Sequence, residues 1–298
     1  MTTTAATTAI QSGRRAREVL SLFKLRIGVF IMTTALVGFA VTPGPGLSLA
    51  QVIVLALSVL LASASAGAFN QYAEADTDRL MARTRSRPFA TGSLPRSPAW
   101  LLLMTAMLAV AVGAAAWVLN AVAALYIFLG AFFYGVVYTL WLKRRSWLNI
   151  VVGGLSGSFA VLAGAAAVDP AIGVHGWLLA LALFLWTPPH FWSLAIAGQV
   201  DYAAAGVPML PVVVGTERAA RVVYASAVAL ALAALLPMLF GAGLIYLAGA
   251  LGGGLYFVLK ARRLAAAPSR QSAIGSFLAS LVQLGTLLAA ASIDGVLR

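Results

Sequence analysis

The chain has 298 residues, of which 62% are hydrophobic and only 9% charged. A soluble domain of this size carries polar helix faces and roughly 25% charged residues, so a water-soluble fold is excluded. The net charge of +12 is spread along the chain as 20 Lys and Arg against 8 Asp and Glu, and the lack of cysteine excludes disulfides and thiolate metal sites.

The first residues, "MTTTAATTAIQSGRRARE", are polar and lack the apolar stretch of a secretory signal. Being poor in acids and containing Arg, Ser and Thr, they also fit a transit peptide, but a disordered cytoplasmic tail over residues 1–20 fits better. Residues 21–298 then read as one transmembrane domain. Apolar runs near the ~20 residues needed to cross a ~30 Å hydrocarbon core recur along it. Nine spans are expected, near Ile27–Val41, Leu49–Tyr72, Ala99–Leu119, Ala121–Leu142, Leu148–Val168, His175–Ala197, Ala219–Phe240, Gly243–Leu259 and Ala273–Ile293. The turns at Asn120 and at Gly241–Gly243 are short enough for antiparallel hairpins.

With nine spans every Lys and Arg except Arg298 falls on one side. The positive-inside rule makes that side cytoplasmic, with the N-terminus in and the C-terminus out. The charge therefore reports topology and some attraction to anionic lipid or substrate, and calls for no nucleic-acid partner.

The second span runs into "NQYAEADTDRLMARTRSRP", Asn70–Pro88. Asn70, Glu74 and Asp78 are spaced i, i+4, i+8 and share one stripe of a continuing helix. Their oxygens suit a hard cation such as Mg²⁺, which is commonly completed by substrate phosphates. Arg79, Arg83 and Arg87 make a second row at the same spacing, apt for phosphate oxygens. The plain alternative is a solvated basic loop, yet a topology signal needs no acids. Asp76 faces elsewhere on such a helix. Asp201, at the end of the sixth span, recurs four spans after this cluster, which hints at two related halves around a cavity.

His190 lies inside the sixth span, where an ionisable side chain is a functional candidate. It is a candidate heme ligand, or it hydrogen-bonds a carbonyl freed by a break at Pro188–Pro189. Asn149, beside Lys143 and Arg144, either binds diphosphate or caps the fifth span. Gly153, Gly154 and Gly157 are expected to admit close helix approach. Tyr138, Trp141 and Trp147 read as interfacial anchors. Tyr72 and Tyr202, each beside an acidic residue, are candidates to shield a carbocation with their ring faces, with plain packing as the alternative.

The stripe of Asn70, Glu74 and Asp78 followed by "RTRSRP" resembles the first aspartate-rich motif of the UbiA superfamily of intramembrane prenyltransferases. "LFKLRIG" (Leu22–Gly28), "YTLWLKRRSWLNIVVGG" (Tyr138–Gly154), "LFLWTPPHFWSLAI" (Leu183–Ile196) and "DYAAAGVPMLPVVVG" (Asp201–Gly215) are similar to the branch of that superfamily that farnesylates heme. The resemblance covers roughly residues 20 to 295. It implies an all-α bundle of nine transmembrane helices around a central cavity open to cytoplasm and lipid. It implies transfer of a farnesyl group from farnesyl diphosphate to a vinyl group of heme B, with addition of water, to give heme O. Mg²⁺ assists, and a downstream heme A synthase in the inner membrane uses the product.

On this resemblance Asn70, Glu74, Asp78 and Asp201 hold the metal–diphosphate, while Arg83, Arg87, Lys143 and Arg144 face phosphate oxygens. Glu74 stands where the superfamily has Asp, and Gln199 and Val200 supply no second carboxylate beside Asp201. Two other readings stay open on the residues alone: a related polyprenyltransferase with a quinone or chlorophyll-precursor acceptor, and an ion-coupled transporter with acids near broken helices.

Overall fold

A computed structural model describes residues 15–297. The expected tail therefore lies largely outside the described residues, although its last part is already helical from Arg15. Among the described residues there is no strand, and nine helices are long and apolar enough to cross a membrane. They are α1 (Leu25–Ala40), α2 (Leu49–Asp78), α3 (Pro98–Val118), α4 (Ala121–Phe132, prolonged as a π-helix over Phe133–Leu142), α5 (Asn149–Val168), α6 (Val174–Ala197), α7 (Thr216–Ala233), α8 (Leu244–Ala266) and α9 (Arg270–Leu297).

Local chemistry sets several boundaries. The N-terminus of α2 carries a reciprocal cap: Ser48 Oγ accepts from Gln51 N at 3.3 Å, and Gln51 Oε1 accepts from Ser48 N at 2.9 Å. In the tight α3–α4 hairpin, Asn120 Oδ1 accepts from Ala123 N while its Nδ2 donates to Ala166 O on α5. Gly241, at φ 90°, turns the chain between α7 and α8 in the left-handed region where glycine costs least.

Helix α2 continues past Tyr72 to Asp78, as the shared stripe of Asn70, Glu74 and Asp78 requires. Two local expectations need correction. Pro188 and Pro189 do not break α6, which is continuous across them. Hydroxyls re-engage the backbone there, Thr187 Oγ1 donating to Leu183 O and Ser193 Oγ to Pro189 O. Gly157 makes no close approach, since a Cβ there would meet nothing within 4 Å.

Lipid tails are as apolar as the helices, so packing rests on small residues that let backbones touch. Helix α1 crosses α5 through Gly38 and Gly164; a Cβ on Gly164 would overlap the carbonyl of Ala35, and one on Gly38 the carbonyl of Val161. Gly249 and Gly253 do the same for α8 against α9. Neighbours in sequence pack together, and α9 closes the bundle against α6 and α1. The start of α1, the ends of α2, α4 and α6 and the start of α5 therefore meet at one end, around a cavity.

Candidate active site

The cavity encloses about 490 Å³. Its acidic wall is the last two turns of α2, where Asn70, Glu74 and Asp78 are 3%, 3% and 0% exposed. Helical spacing puts all three on the same wall. Buried charged and polar groups need partners, and each of the three has one. Glu74 is paired with Lys143 of the α4 end at 2.5 Å, Asp78 with Arg87 at 2.7 Å, and Asn70 Oδ1 accepts from Lys24 Nζ at 2.7 Å. Asn70 Nδ2 donates to Thr139 Oγ1, which fixes its oxygen toward Lys24.

After Asp78 the helix ends and the chain turns, with Thr84 Oγ1 donating to Asp78 O. The expected helical row of three arginines is not formed. Arg79 caps α2 and donates to Ala90 O, pairing also with the exposed Asp76. Arg83 and Arg87 do reach the cavity, Arg87 because Pro88 starts a short helix, Pro88–Thr91, that turns its side chain back to Asp78. Arg83 makes no hydrogen bond or ion pair with a described residue. Four cations, Lys24, Arg83, Arg87 and Lys143, thus face two carboxylates, and the cavity carries surplus positive charge suited to a polyanion.

Sequence reasoning took Lys24 only as a topology signal. It sits between helical residues 15–22 and α1 with φ 48° and ψ 42°, a left-handed conformation uncommon for lysine, and its Nζ also bonds Tyr134 Oη at 3.2 Å. Tyr134 and Tyr138 stack at 5.7 Å, 13° apart, on the cavity wall. Each faces a cation, Lys24 and Lys143 respectively, 5.7 Å from its ring centre. Tyr138 is therefore a cavity residue and not an interfacial anchor. The exposed Trp141 remains placed for that role.

Several expected site residues are elsewhere. Asp201 does not join the acidic stripe, and among the described residues no three His, Cys, Asp or Glu are grouped to hold a metal. Gly198 ends α6, and Gln199 ties the following turn to Pro211 O and Thr216 Oγ1. That leaves Asp201 part-exposed while Tyr202 takes the place on the cavity wall. Tyr72 packs edge-on against Phe89 outside the cavity. Arg144 reaches Thr77 Oγ1 instead of the cavity. Asn149 holds the α4–α5 turn, its Nδ2 donating to Ser146 O at 2.7 Å; it is no cap, since Leu148 stands at the N-cap of α5 without a side-chain bond there, and it does not line the cavity. His190 is buried off the wall, its Nδ1 2.7 Å from Ser280 Oγ and its ring stacked 4.0 Å from Trp186.

The donor chemistry is all oxygen: two carboxylates and a carboxamide on one stripe, a set that fits a hard divalent cation. Residues 31–284 match the UbiA prenyltransferase family. The chain belongs to that family. It is 54% identical over 281 residues to "Protoheme IX farnesyltransferase 2" of Paramagnetospirillum magneticum, covering 94% of this chain and 98% of that one. A second relative there, "Protoheme IX farnesyltransferase 1", is 47% identical over 77% of this chain and 80% of its own. In architecture the chain is similar to a digeranylgeranylglyceryl phosphate synthase (TM-score 0.80, 15% identity, 96% of this chain and 100% of that one). It is also similar to a UbiA homolog from Archaeoglobus fulgidus bound to DMAPP and Mg²⁺ (TM-score 0.71, 19% identity, 90% and 98% covered). At those identities the structures carry the fold alone. Fold and family together make the chain an integral, multi-pass membrane prenyltransferase.

Proposed function

We propose that this chain transfers the farnesyl group of farnesyl diphosphate to a vinyl group of heme B, with addition of water, to give heme O. The observation that carries the reading is a cavity with four cations and two buried carboxylates at the mouth of an apolar bundle, in a chain close to heme farnesyltransferases over nearly its whole length. The basic loops at the cavity end support a position on the cytoplasmic side of the inner membrane. The transporter alternative lacks support, since Glu74 and Asp78 lie in the last turns of α2 and α6 runs unbroken across Pro188 and Pro189.

Breaking an allylic C–O bond leaves a carbocation and an anionic diphosphate. Arg83, Arg87, Lys143 and Lys24 bind phosphate oxygens and stabilise the negative charge that grows on the leaving group. A divalent ion held by Asn70, Glu74 and Asp78, Mg²⁺ in this reading, supplies further neutralisation of that charge. The rings of Tyr134, Tyr138, Phe191 and Tyr202 wall the cavity, exclude water from the allylic carbon and offer π-faces to its charge. Purified protein given heme B and farnesyl diphosphate is expected to yield the heavier heme by mass spectrometry. Turnover only with a quinone precursor would overturn the acceptor, and no prenyl transfer at all would overturn the enzyme. A downstream heme A synthase would consume the product.

Of the two readings of His190, structural packing has the support. The side chain lies off the cavity wall, with Nδ1 2.7 Å from Ser280 Oγ and its ring between Trp186 and Phe277; the next residue, Phe191, lines the cavity instead. His190→Ala is expected to leave the Soret band of the heme-loaded protein unchanged and to lower the melting temperature, and a shifted band would restore the residue to heme binding.

A further inference from the structure

Asn70, Glu74 and Asp78 present five side-chain oxygens, and a cation of the same chain holds every one. Lys143 Nζ lies 2.5 and 2.6 Å from the two Glu74 oxygens. Arg87 Nη1 lies 2.9 and 2.7 Å from the two of Asp78. Lys24 Nζ lies 2.7 Å from Asn70 Oδ1. All three cations also line the cavity. We propose that they are exchangeable counter-ions: in the unloaded protein they close the acidic stripe to a divalent cation, and the substrate diphosphate draws them off. Metal and diphosphate then bind as a coupled pair, and the metal alone binds weakly. This rests on the farnesyl-transfer reading and gives its site an order of loading.

Two physical arguments point the same way. Four cations against two carboxylates make the cavity repel a bare divalent cation and attract a diphosphate. Separating a buried ion pair is costly when either partner is left alone. A cation therefore leaves its carboxylate only when both find new partners in one event, the cation on a phosphate oxygen and the carboxylate on the metal. Arg83, free of any pairing with a described residue, is the group an arriving anion meets without breaking a bond. The left-handed backbone at Lys24 holds that side chain against Asn70 from a separate element, so its release needs no movement of α2. Coupling of this kind is reciprocal by linkage: whatever factor diphosphate adds to metal affinity, the metal adds to diphosphate affinity.

The test is equilibrium dialysis of Mn²⁺ against the full chain in detergent, alone and with inorganic pyrophosphate, with free Mn²⁺ set from the known Mn²⁺–pyrophosphate equilibrium. Wild-type protein is expected to bind Mn²⁺ alone at least about tenfold more weakly than with saturating pyrophosphate, inside the usual range of coupling factors. Lys143→Met, which strips Glu74 of its counter-ion, is expected to bind Mn²⁺ alone about tenfold more tightly than wild type and pyrophosphate alone more weakly. Lys24→Met, at the neutral Asn70, is expected to show the same pair of changes at smaller size and serves if Lys143→Met does not fold. Wild-type protein that binds Mn²⁺ equally well with and without pyrophosphate overturns the exchange. If that protein still makes heme O, the functional reading stands without it. If coupled binding appears and no heme is farnesylated, the exchange stands and the acceptor assignment falls.

Discussion

Replacing Asp78 with alanine is expected to cut farnesyl transfer by about a hundredfold or more, the scale seen when one preorganised electrostatic group is removed from a transition state. The loss has two parts. The alanine removes both oxygens of the deepest acid on the stripe, fully buried at 0% exposure, and with them a ligand of the proposed metal. It also releases Arg87, which is held to Asp78 by two hydrogen bonds from one nitrogen and is thereby aimed across the cavity. Folding should survive, because Arg87 keeps 21% of its side chain in solvent and can hydrate once unpaired. Glu74→Ala is the less clean experiment: it strands Lys143, whose side chain is only 9% exposed, and an orphaned buried charge costs about 3–5 kcal/mol. Turnover of heme B and farnesyl diphosphate, measured beside a melting curve, separates the two effects. Full activity in a folded Asp78→Ala protein would remove the carboxylate from the mechanism.

The spans and the acidic stripe were legible because they follow simple periods. Apolar length counts residues across the bilayer, basic loops alternate with spans, and i, i+4, i+8 spacing places Asn70, Glu74 and Asp78 together wherever the helix continues. What failed to read depends on breaks in those periods. The arginine row assumed that α2 continues past Asp78, but it stops there, and Arg87 returns to the cavity only through the turn at Pro88. Tyr134 and Tyr138 lie on the π-helical end of α4, where Lys143 N bonds Tyr138 O five residues back. A wider turn shifts which residues share a face, and Tyr138, read as an interfacial anchor from its place near the span end, faces the cavity beside Tyr134. Lys24 looked like every other basic residue on its side of the membrane. Its signal was position, at the junction of two helical segments and opposite Asn70, which only the fold supplies. Asp201 illustrates the reverse: its motif was recognisable, yet the short helix Gln199–Ala204 presents Tyr202 to the cavity in its place.

Gly164→Leu is expected to damage the protein more than any other single change outside the cavity. A Cβ at Gly164 overlaps the backbone carbonyl of Ala35 and comes within 2.9 Å of Phe39 N. Backbone atoms in a helix cannot yield as a flexible side chain does, so α1 and α5 must part. Overpacking of this kind costs about 1–3 kcal/mol when neighbours can shift, and more is expected here because the obstacle is main chain on an already close-packed crossing. The damage reaches the site, since α1 follows directly on Lys24 while α5 supplies Ile150, Gly153 and Gly154 to the same cavity. Separating the helices draws Lys24 away from Asn70 and widens the diphosphate pocket, so surviving enzyme should show a raised KM for farnesyl diphosphate as well as a lower melting temperature. The control lies on the same helix. Gly157→Ala meets nothing within 4 Å and replaces glycine with a better helix former, so its melting curve and KM should match or slightly improve on wild type. A Gly164→Leu protein as stable as the Gly157→Ala protein would show that the α1–α5 crossing can open without cost, and that the cavity is not held in shape by it.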